Sequence, residues 1–166
     1  QSSTRISSSV AAGLVAHIIP LTLSPPKRNS PSIAGTEALH GRPPVLAGSH
    51  DPLLEWALRE SGSELAAFFD GSLDGLARLT AGKAIAAGLH VYEPDAEGWN
   101  RGHLERAMPG MPVVLVEWAW RIQGLVVPPG NPKGISRLGD LEGLTLMPRQ
   151  ERSGSHLLLD HLMRQT

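Results

Sequence analysis

Three short stretches of this sequence set serine beside glycine where an apolar run gives way to a helical pattern. They are Gly48-Ser49-His50-Asp51, Asp70-Gly71-Ser72-Leu73-Asp74-Gly75 and Arg152-Ser153-Gly154-Ser155-His156. A strand-to-helix seam carries backbone N–H groups with no intrahelical acceptor, and it faces the positive end of the helix dipole, so it suits an anion. Glycine lets the backbone approach a ligand closely, and serine adds a hydroxyl donor beside the free amides. Any one such seam is explained as well by N-capping, for which Ser and Asp are preferred. Three on one sheet edge put anion binding level with capping.

Other chemistries fit less well. Neither a Walker pattern nor a GxGxxG between strand and helix occurs, so nucleotide binding by those routes has no support. Ser49, His50 and Asp51 are adjacent in sequence and cannot adopt triad geometry, and no GxSxG elbow is present. His50, His90, His103 and Asp95 lack an HExxH or a close His pair, so no metal site is expected. Trp56, Trp118 and Trp120 read as core or hinge packing rather than an aromatic box. His90 alternates with Tyr92 on a strand and points to a cleft or to a core hydrogen bond. Together these features predict a binding domain, not an enzyme, and one without a cofactor.

The elements that position the seams follow from composition and period. The chain has 166 residues, 41% hydrophobic and 19% charged, as in ordinary globular domains. A formal net charge of −1 leaves no basic footprint for nucleic acid, and the absence of cysteine excludes a thiol nucleophile, a disulfide framework and a thiolate zinc site. A first residue of Gln marks a processed chain or a fragment. Residues 10–23, "VAAGLVAHIIPLTL", are too short and interrupted for a membrane span. They read as a strand or short helix ending an upstream domain, in preference to the core of a secretory signal. Residues 24–44 are a linker by composition, rich in Pro, Ser and Gly.

Beyond the linker, strands and helices alternate with short loops. "PPVLAGS" reads as a strand, and "DPLLEWALRES" as a helix with Pro52 in its first turn and Leu53, Leu54, Ala57 and Leu58 on one face. "SELAAFFDGS" and "KAIAAGLHVYE" read as strands around the helix "LDGLARLTAG", which Gly82 closes. "NRGHLERAMPG" is a short helix, and "MPVVLVEWAWRIQGLVVPPGNP" holds one long strand or two. "ISRLGDLEG" is a short helix, "LTLMPRQ" a strand and "SGSHLLLDHLMRQ" a final helix. That alternation predicts a parallel sheet with crossover helices, whose ligands gather outside the carboxyl ends of the strands.

Four blocks, "LAGSHDPLLEWAL", "GSLDGLARLTAGKAIAAGLHVYEPD", "RIQGLVVPPGNPKGI" and "PRQERSGSHLLLDHL", resemble the periplasmic-binding-protein-like domain of molybdate-type sensors. In bacteria that domain often follows an excisionase or molybdate-regulator helix-turn-helix. The resemblance runs from about Pro44 to the end. It implies an α/β fold of the periplasmic-binding-protein type 2 kind, with parallel-sheet lobes, helices on both faces and a cleft between lobes. The division expected is an N-terminal segment and linker over 1–43, lobe I over 44–120, and the crossover with an incomplete lobe II over 121–166. The implied role is a small-oxyanion sensor of a transcription regulator in the cytoplasm, with molybdate or tungstate as the leading ligand. The alternative is the extracytoplasmic solute-binding component of an ABC transporter. DNA would be reached only through an upstream module, and such regulators commonly form homodimers.

The ligand-binding residues expected on this account are Ser49, His50, Ser72, Arg121, Gln123, Ser153, Gly154 and Ser155. The serine hydroxyls donate, the amides of His50, Leu73 and Gly154 join them, and Arg121 and Gln123 close over the ligand from the crossover. Pro148-Arg149-Gln150 stands where the family tends to have Asn-Arg-Gln, and Arg152-Ser153-Gly154-Ser155-His156 where it tends to have Gly-Ser-Gly-Thr-Arg. The Thr-to-Ser change keeps a hydroxyl. Replacing the terminal Arg by His156 removes a cationic contact, which Arg149 or Arg152 would have to supply.

Overall fold

A computed structural model describes residues 9–16, 41–96 and 98–166. Residues 17–23, and residues 24–40 of the expected linker, lie outside the described residues. Strand β1 is Ser9–Ala16 and β2 is Val45–Gly48, the apolar run that leads into the first seam. Helix α1, Pro52–Glu60, starts where it must: Pro52 occupies its first turn, and Asp51 caps it by accepting the Leu54 N–H at 3.0 Å. Strand β3, Ala66–Phe68, and helix α2, Ser72–Thr80, complete the next unit. Then come β4, Ala86–Leu89, a hairpin of β5, Tyr92–Glu93, with β6, Gly98–Trp99, and helix α3, Arg101–Ala107. Strand β7, Val114–Ile122, is one long strand, and a 3-10 turn at Leu138–Leu141 precedes helix α4, Gly154–Met163.

The main sheet has the order β3-β2-β4-β1-β7. Strands β3, β2 and β4 pair in parallel, as the alternation of strand and helix predicts. Strand β1 runs antiparallel to both β4 and β7, so the sheet is mixed where the sequence predicts a parallel one. Because β1 reverses direction, β7 runs the same way as β4, and the carboxyl ends of β2, β3, β4 and β7 share one edge. The apolar side chains alternate along β4 and fill two cores. Ala87 and Leu89 join Leu76, Leu79, Leu104 and Met108 under α2 and α3. Ala86 joins Leu46, Leu54 and Ile85 under α1, with Trp118 packed against them. Helices therefore cover both faces.

Other expectations fail as well, among them the packing of Trp120, which is 67% exposed. "LTLMPRQ" forms no strand: residues 145–150 join no ladder among the described residues, and Met147 is 93% exposed. Trp56 lies on the outer side of α1, 53% exposed, and so does Leu53, leaving Leu54 as the buried residue of that helix.

The seams are shaped by backbone packing. Gly48 has φ +110° and Gly71 φ +139°, conformations an L side chain rarely adopts. A Cβ on Gly75, inside α2, would lie 2.6 Å from the Gly48 nitrogen, so the helix rests directly on the end of β2.

Candidate functional site

The candidate site forms along that carboxyl edge. Ser49 follows β2, His90 follows β4, Arg121 is the penultimate residue of β7 and Gln123 follows it. Two backbone bonds tie the seams together: Ser49 N–H donates to Gly88 O at 2.8 Å, and Gly71 N–H to Gly48 O at 3.2 Å. The third seam is brought in by α4. A Cβ on Gly154 would lie 2.6 Å from the His90 carbonyl carbon, so only glycine lets α4 begin there. Arg152 O accepts the Leu73 N–H at 3.3 Å, and Gln150 Nε2 donates to Asp70 O at 3.0 Å. Three helices of nine or ten residues thus direct their N-termini toward neighbouring points on one edge.

Two side-chain clusters stand there. In the first, Arg121 Nη2 donates to Asp51 Oδ2 at 2.5 Å, and Nη1 reaches Ser49 Oγ at 3.4 Å. Both charged side chains are largely shielded, at 22% and 11% exposure. In the second, Ser72, fully buried, accepts the His90 N–H at 3.1 Å. The Gln123 amide nitrogen lies 3.1 and 2.9 Å from the two ring nitrogens of His90, whose ring stacks on Trp99 at 5.0 Å.

The electrostatics follow from these contacts. Burial opposes ionisation of Asp51, but the Arg121 hydrogen bond, the Leu54 N–H and the Arg121 charge outweigh it and hold the carboxyl below its usual range. Burial, aided by the Arg121 charge, pushes His90 down to about 4, so its imidazole is neutral at pH 7. The edge therefore offers a guanidinium, an amide, hydroxyls and a neutral ring.

Other expected ligand residues are engaged elsewhere or stand nearby. His50 is half exposed and turned to Glu55 Oε2 at 2.8 Å and to the Phe69 ring. Ser153 is buried and accepts the His156 N–H at 3.2 Å as the cap of α4. Ser155 is half-buried in the first turn of α4. The Leu73 amide, expected to face a ligand, is taken by Arg152 O. Arg152 itself pairs with Asp74, and Arg149 bonds the Gln150 side chain. Sequence reasoning missed Asp51 as the partner of Arg121. Its place in the first seam suggested no more than the general capping preference of Asp.

Two open depressions lie away from this edge. One, of about 350 Å³, is lined by Leu104, Met108, Met111, Val113 and Leu115, and is an apolar gap between α3 and β7. The other, of about 740 Å³, surrounds Glu93, Trp99, His103 and Arg106. Its carboxylate is committed to structure: Glu93 accepts the Gly102 N–H at 2.8 Å and the His103 N–H at 2.5 Å, capping α3 from another strand. Burial lowers the pKa of His103, partly offset by Glu93. Among the described residues, no group of three or more His, Asp or Glu side chains comes together as a metal site. No described helix is long and apolar enough to cross a membrane.

A mixed sheet lies under helices on both faces, and polar groups converge at the strands' carboxyl edge, the place where open α/β sheets hold their ligands. Residues 55–166 match the PBP superfamily domain, and the chain belongs to that family. It is also 31% identical over 129 residues to the uncharacterized protein YvgK of Bacillus subtilis (strain 168), a match covering 72% of this chain. The matched region spans 41% of YvgK. No solved structure matches the chain. Family membership gives it a ligand-binding role.

Proposed function

We propose that the carboxyl edge binds a small tetrahedral oxyanion, with molybdate or tungstate as the first candidates, in the effector-binding domain of a bacterial transcription regulator. The observation that carries the reading is Arg121, held at the edge where α1, α2 and α4 begin, with Ser49 against its guanidinium. Charge-assisted hydrogen bonds contribute about 1.5–3 kcal/mol each, so one guanidinium and a few neutral donors can offset the desolvation of an anion. Selectivity among tetrahedral anions then rests on cavity radius and donor count. The regulator role, the cytoplasmic setting, the reach to DNA through an upstream module and dimerisation rest on the four blocks that resemble molybdate-type sensors.

The test is calorimetric titration with molybdate, tungstate, sulfate and phosphate, using the wild-type chain, Arg121→Gln and Ser49→Ala. Saturable binding of at least one anion is expected, weakened by roughly tenfold or more in Arg121→Gln. Equal affinity of a folded Arg121→Gln variant would move the site away from this edge.

A further inference from the structure

Arg121 has an acidic partner within the chain. Its partner, Asp51, is 8% exposed and divides its carboxylate between two tasks: Oδ1 accepts the Leu54 N–H at 3.0 Å and Oδ2 accepts Arg121 Nη2 at 2.5 Å. An oxyanion at this edge meets a fixed negative charge at the place where the helix termini and the guanidinium would attract it. Like charges a few ångströms apart in a shielded site repel strongly, and the Leu54 N–H bond to Oδ1 ties the carboxylate to the cap beside that site.

We propose that Asp51 is a built-in competitor for Arg121, so that a bound oxyanion takes the guanidinium from Asp51 and the carboxylate sets how tightly a fully ionised dianion is held. The inference rests on the oxyanion reading above. Binding is then an exchange: Arg121 leaves Oδ2 for the ligand, while Oδ1 keeps capping α1. The end of β7 and the start of α1, seventy positions apart in sequence, lose this ion pair between them when ligand binds, while the packing of Trp118 beside Leu54 remains. Asp51 thus determines both the anion concentration to which the domain responds and the contact that changes on response.

Asp51→Asn separates the two tasks, since an Asn amide oxygen still accepts the Leu54 N–H and Asn is as good an N-cap as Asp. Calorimetric titration of the full chain with molybdate and with sulfate compares wild type, Asp51→Asn and Glu105→Gln, which removes the same charge from an exposed position on α3. Asp51→Asn is expected to tighten binding by about tenfold or more, with Glu105→Gln within about twofold of wild type. Binding by Asp51→Asn where wild type shows none is the same result at its extreme. Unchanged or weaker binding in a folded Asp51→Asn variant, with wild type binding normally, overturns the competitor and makes Asp51 a positioning residue for Arg121. An equal gain in Glu105→Gln overturns it too, because the effect would then be one of net charge. If no chain binds either of these anions, nor tungstate or phosphate, the oxyanion reading falls and takes the competitor with it.

Discussion

Burial constrains the ionisation of His90. Its pKa falls from 6.5 in the unfolded chain to about 4 in the folded one, chiefly through burial. Between those values the unfolded chain holds more protons than the folded one, so stability falls as pH drops through that window. Going from about pH 7.5 to about pH 4.5 is expected to cost about 2.5 kcal/mol from this group alone. Asp51, whose pKa is lowered, loses its contribution only below that range. Urea denaturation at the two pH values measures the drop, and His90→Gln should remove most of it. An equally steep drop in His90→Gln would assign the effect to other groups. The Arg121–Asp51 pair and the His90–Gln123 contact were not legible in the sequence. Their members are 70 and 33 positions apart, and only the sheet order brings them together. Arg121 and Gln123 could be named from the resemblance, but the acid that faces Arg121 carried only the general capping preference of Asp.

At the scale of elements, the seams depend on backbone-to-backbone contact. Gly75→Ala would drive a methyl into the Gly48 backbone, and relief requires α2 to lift from β2. A loss of about 3 kcal/mol or more is expected in chemical denaturation, as for other overpacked sites. Gly139→Ala is the comparison, since a Cβ there meets the Thr166 methyl carbon at an ordinary 3.6 Å and should cost less than about 1 kcal/mol. Ser153→Ala removes the α4 cap and should cost about 1 kcal/mol. Strands β2, β3 and β4 and helices α1, α2 and α3 were readable from their period and from local starts and stops, Pro52 for α1 and Gly82 just past α2, whereas the two-residue strands of the β5–β6 hairpin were not. "LTLMPRQ" has the composition of a strand, but a strand exists only where another backbone pairs with it. The same dependence hid the direction of β1, whose partners lie seventy or more residues away.

For the whole molecule, β1 fills the slot between β4 and β7 and joins the edge that carries Arg121 to the rest of the sheet. Removing residues 1–16 should abolish hydrogen-exchange protection in β7, which pairs with β1 alone among the described strands, and leave the β2–β3 ladder protected. Unchanged protection in β7 would mean that another segment can take the slot. The proposed oxyanion sits where three helix termini and Arg121 converge. The most direct measurement is a ¹⁵N NMR titration of the full chain with molybdate, following the backbone amides and the Arg121 side-chain Nε. Saturable shifts confined to Ser49, His50, Ser72, Gly154 and the Arg121 side chain are the predicted result. Shifts centred instead on the Glu93–His103 depression, or none at any residue of the edge, would contradict it.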